Sequence, residues 1–160
     1  MNSANKQSSK ERILATAVKN FARKGYDSTG MRELADGADV NLAMINYFFG
    51  TKKELLKVIL ETFFKGYIEV IEEELTGEGS FDEKIRRFIH RAIAYISDNR
   101  DYMMVTLTEL PHDDPEITEY KAQWARKAMH VVQDEICVPI RKTQGVQISP
   151  AAIGPLLIGM

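Results

Sequence analysis

The apolar positions of this 160-residue chain recur every three or four residues and nowhere alternate. That period belongs to helices with one buried stripe, so the fold expected is all-α. Ile13, Leu14, Ala17, Val18, Phe21 and Ala22 form the first stripe. Ser8-Ser9-Lys10-Glu11 reads as its capping box, Gly25 as its left-handed stop, and residues 1–7 as a disordered polar arm. Two short apolar segments follow, around Leu34-Ala35 and from Asn41 to Phe49. A second box, Thr51-Lys52-Lys53-Glu54, opens a long helix from Leu55 to Ile71 that Gly77 and Gly79 stop. A third, Ser80-Phe81-Asp82-Glu83, opens a helix bearing Ile85, Phe88, Ile89, Ala92, Ile93, Tyr95 and Ile96. A shorter helix is expected over residues 101–110, ended by Pro111. Asp114 should cap the next, with Pro115 in its first turn, Pro139 kinking it and Gly145 ending it. A last helix is expected over residues 151–160.

Residues 29–55 organise the rest. Leu34 and Ala35 give one short helix an apolar side, and Gly37-Ala38-Asp39 supplies the small residues of a tight turn between steeply crossing helices. Val40 packs inward and Asn41 can cap the second helix. Ile45 and Phe49, four apart, bury together, which leaves Leu42, Ala43, Met44, Asn46 and Tyr47 to project elsewhere. An amide for base edges, apolar groups for thymine methyls and a phenol for phosphate are what a helix in a DNA major groove requires.

The run Ala43-x-Ile45-Asn46-Tyr47-x-Phe49-Gly50-x-Lys52-x-x-Leu55, preceded by Thr29-x-x-x-x-Leu34-Ala35, resembles the DNA-binding signature of the tetracycline-repressor (TetR) family of transcriptional regulators. The match extends upstream through Ile13-Leu14-x-x-Ala17-x-x-x-Phe21-x-x-x-Gly25-Tyr26 and covers about the first third of the chain. It departs at Asp39, where the family usually has Gly, and at Leu42, where it often has a small or basic residue. The resemblance implies an N-terminal three-helix, helix-turn-helix DNA-binding domain over residues 8–50. A helical ligand-binding and dimerisation bundle would follow over residues 51–160. Base contacts are expected from Leu42, Ala43, Met44 and Asn46, with Asn41 in the same surface, and backbone contacts from Thr29, Tyr47, Thr51 and Lys52. Lys52 stands where the family places a phosphate-contacting lysine, beside the free amides of a helix N-terminus. The family builds its dimer from two C-terminal helices, and only the first begins before Met160. The regulatory domain is therefore expected to be C-terminally incomplete, or the dimer to be built differently.

Charge adds to this picture. The chain carries a net −2, but residues 1–57 hold ten Lys or Arg against six Asp or Glu, and the remainder eleven against seventeen. A basic head on an acidic body suits a DNA reader joined to a regulatory domain. With Cys137 alone, no intrachain disulfide or cysteine-based zinc site is possible. His90, His112 and His130 are not paired at ligand spacing, so no metal is expected. No nucleophile elbow, triad or phosphate-binding glycine loop is present, so neither enzymatic activity nor a cofactor is expected. The N-terminus does not read as a secretory signal, and no run approaches the ~18 apolar residues of a membrane span, so a cytoplasmic location is expected.

Phe63, Tyr67, Phe88, Tyr95, Tyr102, Met103, Trp124 and Met129 spread aromatic and flexible surface over four helices. Individually each reads first as core. Together they suggest a pocket for an apolar or aromatic effector, with Glu109, His90 or His130 to orient it. The function expected is a ligand-responsive regulator, a repressor that binds palindromic double-stranded operator DNA as a homodimer and is released by a small molecule. The alternative is a helical ligand-binding or protein-interaction module that has lost specific DNA binding, for which the departures at Asp39 and Leu42 are the support.

Overall fold

The computed structural model describes residues 3–108, 114–145, 147 and 149, and among them there is no strand. The helices are α1 (Ser3–Lys24), α2 (Met31–Gly37), α3 (Leu42–Phe49), α4 (Lys52–Thr76), α5 (Phe81–Asp98), α6 (Arg100–Thr108), α7 (Pro115–Val132) and α8 (Val138–Gln144). Glu109, Pro111, His112 and the helix expected over residues 151–160 lie outside the described residues.

Helix ends follow local chemistry, with one correction. Ser80 and Glu83 form a complete capping box: Ser80 N donates to Glu83 Oε2 at 2.8 Å, and Glu83 N donates to Ser80 Oγ at 3.4 Å. At α4 half of the box forms, Glu54 N donating to Thr51 Oγ1 at 3.1 Å while the Glu54 carboxylate accepts from Lys57 instead. Asp114 Oδ1 accepts from the amides of Glu116 and Ile117 at 2.9 and 3.3 Å, as a cap before Pro115 should. Gly25 and Gly145 close α1 and α8 at φ 93° and 67°. The expected start at Ser8 is wrong: α1 begins at Ser3, and Ser8 Oγ accepts from Arg12 Nη1 within the helix at 3.3 Å. Ser3-Ala4-Asn5-Lys6-Gln7 contains no glycine or proline to break the turn, so the helix extends through them.

Pro139 has a larger local effect than a simple kink. It removes an N–H and crowds the carbonyl four residues back. The helix accommodates this with a π turn over Gln133–Cys137, in which Val138 N donates to Gln133 O before α8 resumes.

The chain divides into two compact units, Met1–Phe63 with Asn99–Ile117, and Phe64–Asp98 with Thr118–Met160. In the first, α1 packs against α2, α3 and α6. Its buried side chains include Ile13, Ala17 and Phe21 of α1, Leu34 and Ala35 of α2, Ile45 and Phe49 of α3, Leu55, Leu56, Ile59 and Leu60 of α4, and Val105 of α6. The second unit is built on Tyr67, Ile68, Ile71, Leu75, Phe88, Ala92, Ala128, Val132, Ile136 and Cys137, with Trp124, Tyr95 and Ile96 packed against them. Arg87 Nε and Arg91 Nε reach the two oxygens of Glu74 at 3.1 and 3.3 Å and tie α5 to the end of α4. The α5 stripe is narrower than its spacing implied: Phe88 and Ala92 are buried, while Ile89 and Ile93 are 48% and 61% exposed on its flank.

At Gly66 the Tyr95 side chain of α5 lies directly against α4. A Cβ there would lie 2.5 Å from Tyr95 Oη and 3.0 Å from two ring carbons, so the tyrosine ring occupies the space of the missing side chain. Gly66→Ala should displace Tyr95 and destabilise the protein by about 1–3 kcal/mol, despite the better helix propensity of Ala. Urea unfolding checks this, and an unchanged midpoint would contradict the close approach.

Candidate nucleic-acid interface

A two-turn helix can present a fixed face only if the turn before it is rigid, and here the turn is held at several points. Ala38 N donates to Leu34 O at 3.0 Å, Asp39 N to Asp36 O at 3.2 Å, and Val40 N to Ala35 O at 3.0 Å. Asp39 adopts φ 52°, the only positive φ outside glycine among the described residues. This accounts physically for the glycine usual at that position. Asp tolerates the left-handed region better than most residues, at a cost. From α1, Arg12 Nε donates to Ala38 O at 3.0 Å and Arg12 Nη2 to Asp39 O at 3.3 Å, so one guanidinium holds the exit of the turn. The other end of α2 is held by Glu33, whose carboxylate pairs with Lys24 and accepts from Asn20 at 3.4 Å. The Lys24 hydrogen bond holds that carboxyl below the usual range.

Asn41 takes the extended conformation and its Oδ1 accepts from Met44 N at 2.9 Å, capping α3. Ile45 and Phe49 are buried, which turns Ala43, Asn46 and Tyr47 outward and leaves Leu42 and Met44 half-buried. Tyr47 is 70% exposed, the highest among the exposed large apolar side chains. Thr29 points inward instead. It is buried, and its Oγ1 donates to Gly25 O at 2.8 Å beneath the start of α2. Thr51 is exposed at the start of α4.

Three lysines follow Thr51 with different partners. Lys52 Nζ sits 4.2 Å from the centre of the Tyr26 ring and donates to Asp27 O at 3.4 Å. Partial desolvation lowers its pKa, opposed by the Asp27 carboxylate. Lys53 pairs with Asp114 Oδ2 at 2.7 Å and Glu116 Oε2 at 3.1 Å, and Lys57 pairs with Glu54 and Glu116. Lys10, on α1, lies 5.8 Å from the centre of the Phe49 ring. Sequence spacing gave no sign that Arg12 holds the turn, that Tyr26 carries Lys52 or that Glu116 pairs with Lys53, because these partners lie 25 or more residues apart.

The effector candidates are distributed over both units. Tyr67 and Phe88 are buried in the second unit, with Tyr95 5.9 Å from Tyr67 between ring centres, and Trp124 stacked 6.0 Å from Phe64. Burial pushes the Tyr67 hydroxyl up to about 12. Met129 lines an open groove of about 280 Å³ with Arg126, His130 and Gln133. Phe63, Tyr102 and Met103 belong to the first unit. His90 is exposed. Among the described residues no group of three or more His, Cys, Asp or Glu could hold a metal ion, and no helix is long and apolar enough to cross a membrane.

Residues 13–59 match the family described as bacterial regulatory proteins, tetR family. The chain is similar to the probable HTH-type transcriptional regulator YttP of Bacillus subtilis, 28% identical over 130 residues, 80% of this chain and 63% of that protein. It is also similar to the biofilm operon icaADBC HTH-type negative transcriptional regulator IcaR of Staphylococcus epidermidis, 22% identical over 64% of this chain and 55% of that one. It thus spans less than two thirds of the length of either relative. In fold it resembles the Bacillus subtilis transcriptional regulator FadR in complex with stearoyl-CoA, with a TM-score of 0.77 at 18% identity over 93% of this chain and 81% of that chain.

Two outcomes follow from the turn and the lysine pairs. Asp39→Gly should stabilise the protein by about 0.5–1 kcal/mol by removing the left-handed penalty, whereas Asp39→Val should destabilise it by about 1–2 kcal/mol. Equal midpoints for the two variants in urea would refute the strained turn. Hydrogen bonds from Lys53 to Asp114, and from Lys57 and then Lys53 to Glu116, hold both carboxyls below their ordinary values. Their contribution is therefore present at neutral pH and lost as pH falls through those lowered values. Lys53→Gln should melt below wild type near neutrality, and the difference should shrink and disappear as falling pH protonates the two carboxyls. A difference that persists in acid would refute the pairing.

Proposed function

We propose a ligand-responsive repressor: the chain belongs to the TetR family of bacterial regulatory proteins, and its first unit is the DNA reader. The observation that carries this reading is the outward face of α3. Ile45 and Phe49 are buried beneath Ala43, Asn46 and the 70% exposed Tyr47, on a helix capped by Asn41. A face with an amide, small apolar groups and a phenol suits base edges and thymine methyls in a major groove. Base contacts fall to Leu42, Ala43, Met44 and Asn46, and phosphate contacts to Tyr47, Thr51 and Lys52. Asn41 and Thr29 support that face from the turn and from beneath α2.

The domain reading is a DNA-binding head over residues 8–50 followed by a helical effector and dimerisation domain. Two heads of a homodimer would bind successive major grooves of a palindromic operator in the cytoplasm. The effector would be small and largely apolar or aromatic. The aromatic content of the second unit supports this, as does the acyl chain of the stearoyl-CoA in the FadR complex of similar fold. Helix α4 carries residues of both units, and a tilt of it would change the spacing of the heads. An effector shifts that balance only by its difference in affinity for the two states, typically ~1–3 kcal/mol.

Fluorescence anisotropy tests the reading, with DNA from upstream of the protein's own coding region against a scrambled duplex at two salt concentrations. Tighter binding to the native duplex is expected. Lys52→Ala should weaken both duplexes alike and reduce the salt slope by about 1. Equal, weak binding of both duplexes by wild type would instead favour a helical module without specific DNA binding.

A further inference from the structure

We infer that Tyr26 is a positioning residue for DNA binding, its ring face and the Asp27 carbonyl holding the Lys52 ammonium in place for a phosphate. The inference rests on the DNA-reading function proposed above and adds a residue to it.

The three lysines of the first turns of α4 are not equivalent. Lys53 and Lys57 face carboxylates of Asp114, Glu116 and Glu54, which neutralise them. Lys52 is held by the Tyr26 ring at 4.2 Å and by the backbone oxygen of Asp27 at 3.4 Å. Both of these groups are neutral, so they fix the ammonium without cancelling its charge; the Asp27 carboxylate acts on it through space. A phosphate contact needs such a cation, because the affinity comes from an uncompensated positive charge that displaces counterions.

The platform is itself rigid. Tyr26 follows Gly25, which ends α1 at φ 93°, and its ring meets the fully buried Phe21 edge-on at 5.3 Å between centres. Thr29 N donates to Tyr26 O at 3.2 Å, so the loop that carries the ring closes directly before α2. A lysine stem is flexible, and a phosphate that captured it from solution would have to order it. Where the ring already orders it, that loss falls on folding and not on binding. Tyr26 thereby affects affinity without touching DNA.

A double-mutant cycle on the full chain tests this by anisotropy with the native duplex. Tyr26→Leu should weaken binding by about three- to fivefold, the range of a cation on an aromatic face. Tyr26→Phe keeps the face and should bind within roughly twofold of wild type. In a Lys52→Ala background, Tyr26→Leu should cause no further loss, which a merely structural role for the ring would not produce. Wild-type affinity for Tyr26→Leu, or an undiminished loss in the Lys52→Ala background, would overturn the inference while leaving DNA reading intact. If Tyr26→Leu does not fold, replacement of Tyr26 by trifluorophenylalanine keeps the packing and weakens the negative face. The same loss is then expected, and wild-type affinity would overturn the inference. A wild-type protein that does not distinguish the two duplexes would overturn the DNA reading, and this inference with it.

Discussion

The eight residues of α3 are too few to hold a helix in water, where isolated helices shorter than ~12–15 residues are marginal. The helix is formed because Ile45 and Phe49 are buried at 0% and 6% exposure, with α1 and α2 packed against it. That burial also sets its rotation. Residues four apart share a face, so fixing these two leaves Ala43, Asn46 and Tyr47 no orientation but outward. The proposed reading surface is therefore a by-product of the core, and its chemistry can vary while its position does not.

Position also depends on the turn that feeds α3, and there the chain is strained. Asp39 is held at φ 52° in a place that suits glycine, and Arg12 lies across the carbonyls of Ala38 and Asp39. The two features act in opposite directions. A residue that resists its conformation would let the turn relax and rotate α3, and a planar guanidinium with fixed donors opposes that relaxation. The cost at Asp39 is one of stability, while the restraint by Arg12 is one of geometry.

Sequence spacing showed most of the buried residues that α1, α2, α3 and the start of α4 contribute to the first unit, because each of these helices buries a stripe whose residues recur at helical intervals. It showed the caps unevenly. Ser8 and Ser80 begin equally good capping boxes, yet only Ser80 caps a helix. The difference lies in what comes before: Gly77 and Gly79 break the chain ahead of Ser80, while nothing from Ser3 to Gln7 does so ahead of Ser8. A cap motif permits a start, and a preceding breaker enforces it. The return of α6 onto α1, the Arg12 restraint and the stacking of Lys52 on Tyr26 leave no periodic trace, because each joins residues made neighbours only by the finished fold. The breadth of the α5 stripe misled for the same reason, since Ile89 and Ile93 would be core only if a further element covered that flank.

The aromatic residues of the second unit are instructive about what an effector must do. Tyr67 and Phe88 are 4% and 1% exposed and already fill the core, so neither offers a surface to a ligand in this arrangement. A ligand that reached them would have to move them, and the displaced packing would count against its affinity. Such a ligand would bind the rearranged core better than the packed one. That difference between states is the quantity a ligand needs in order to shift an equilibrium. With Gly66 allowing Tyr95 to lie directly against α4, a ligand of the proposed kind that entered this aromatic core would have to act through repacking.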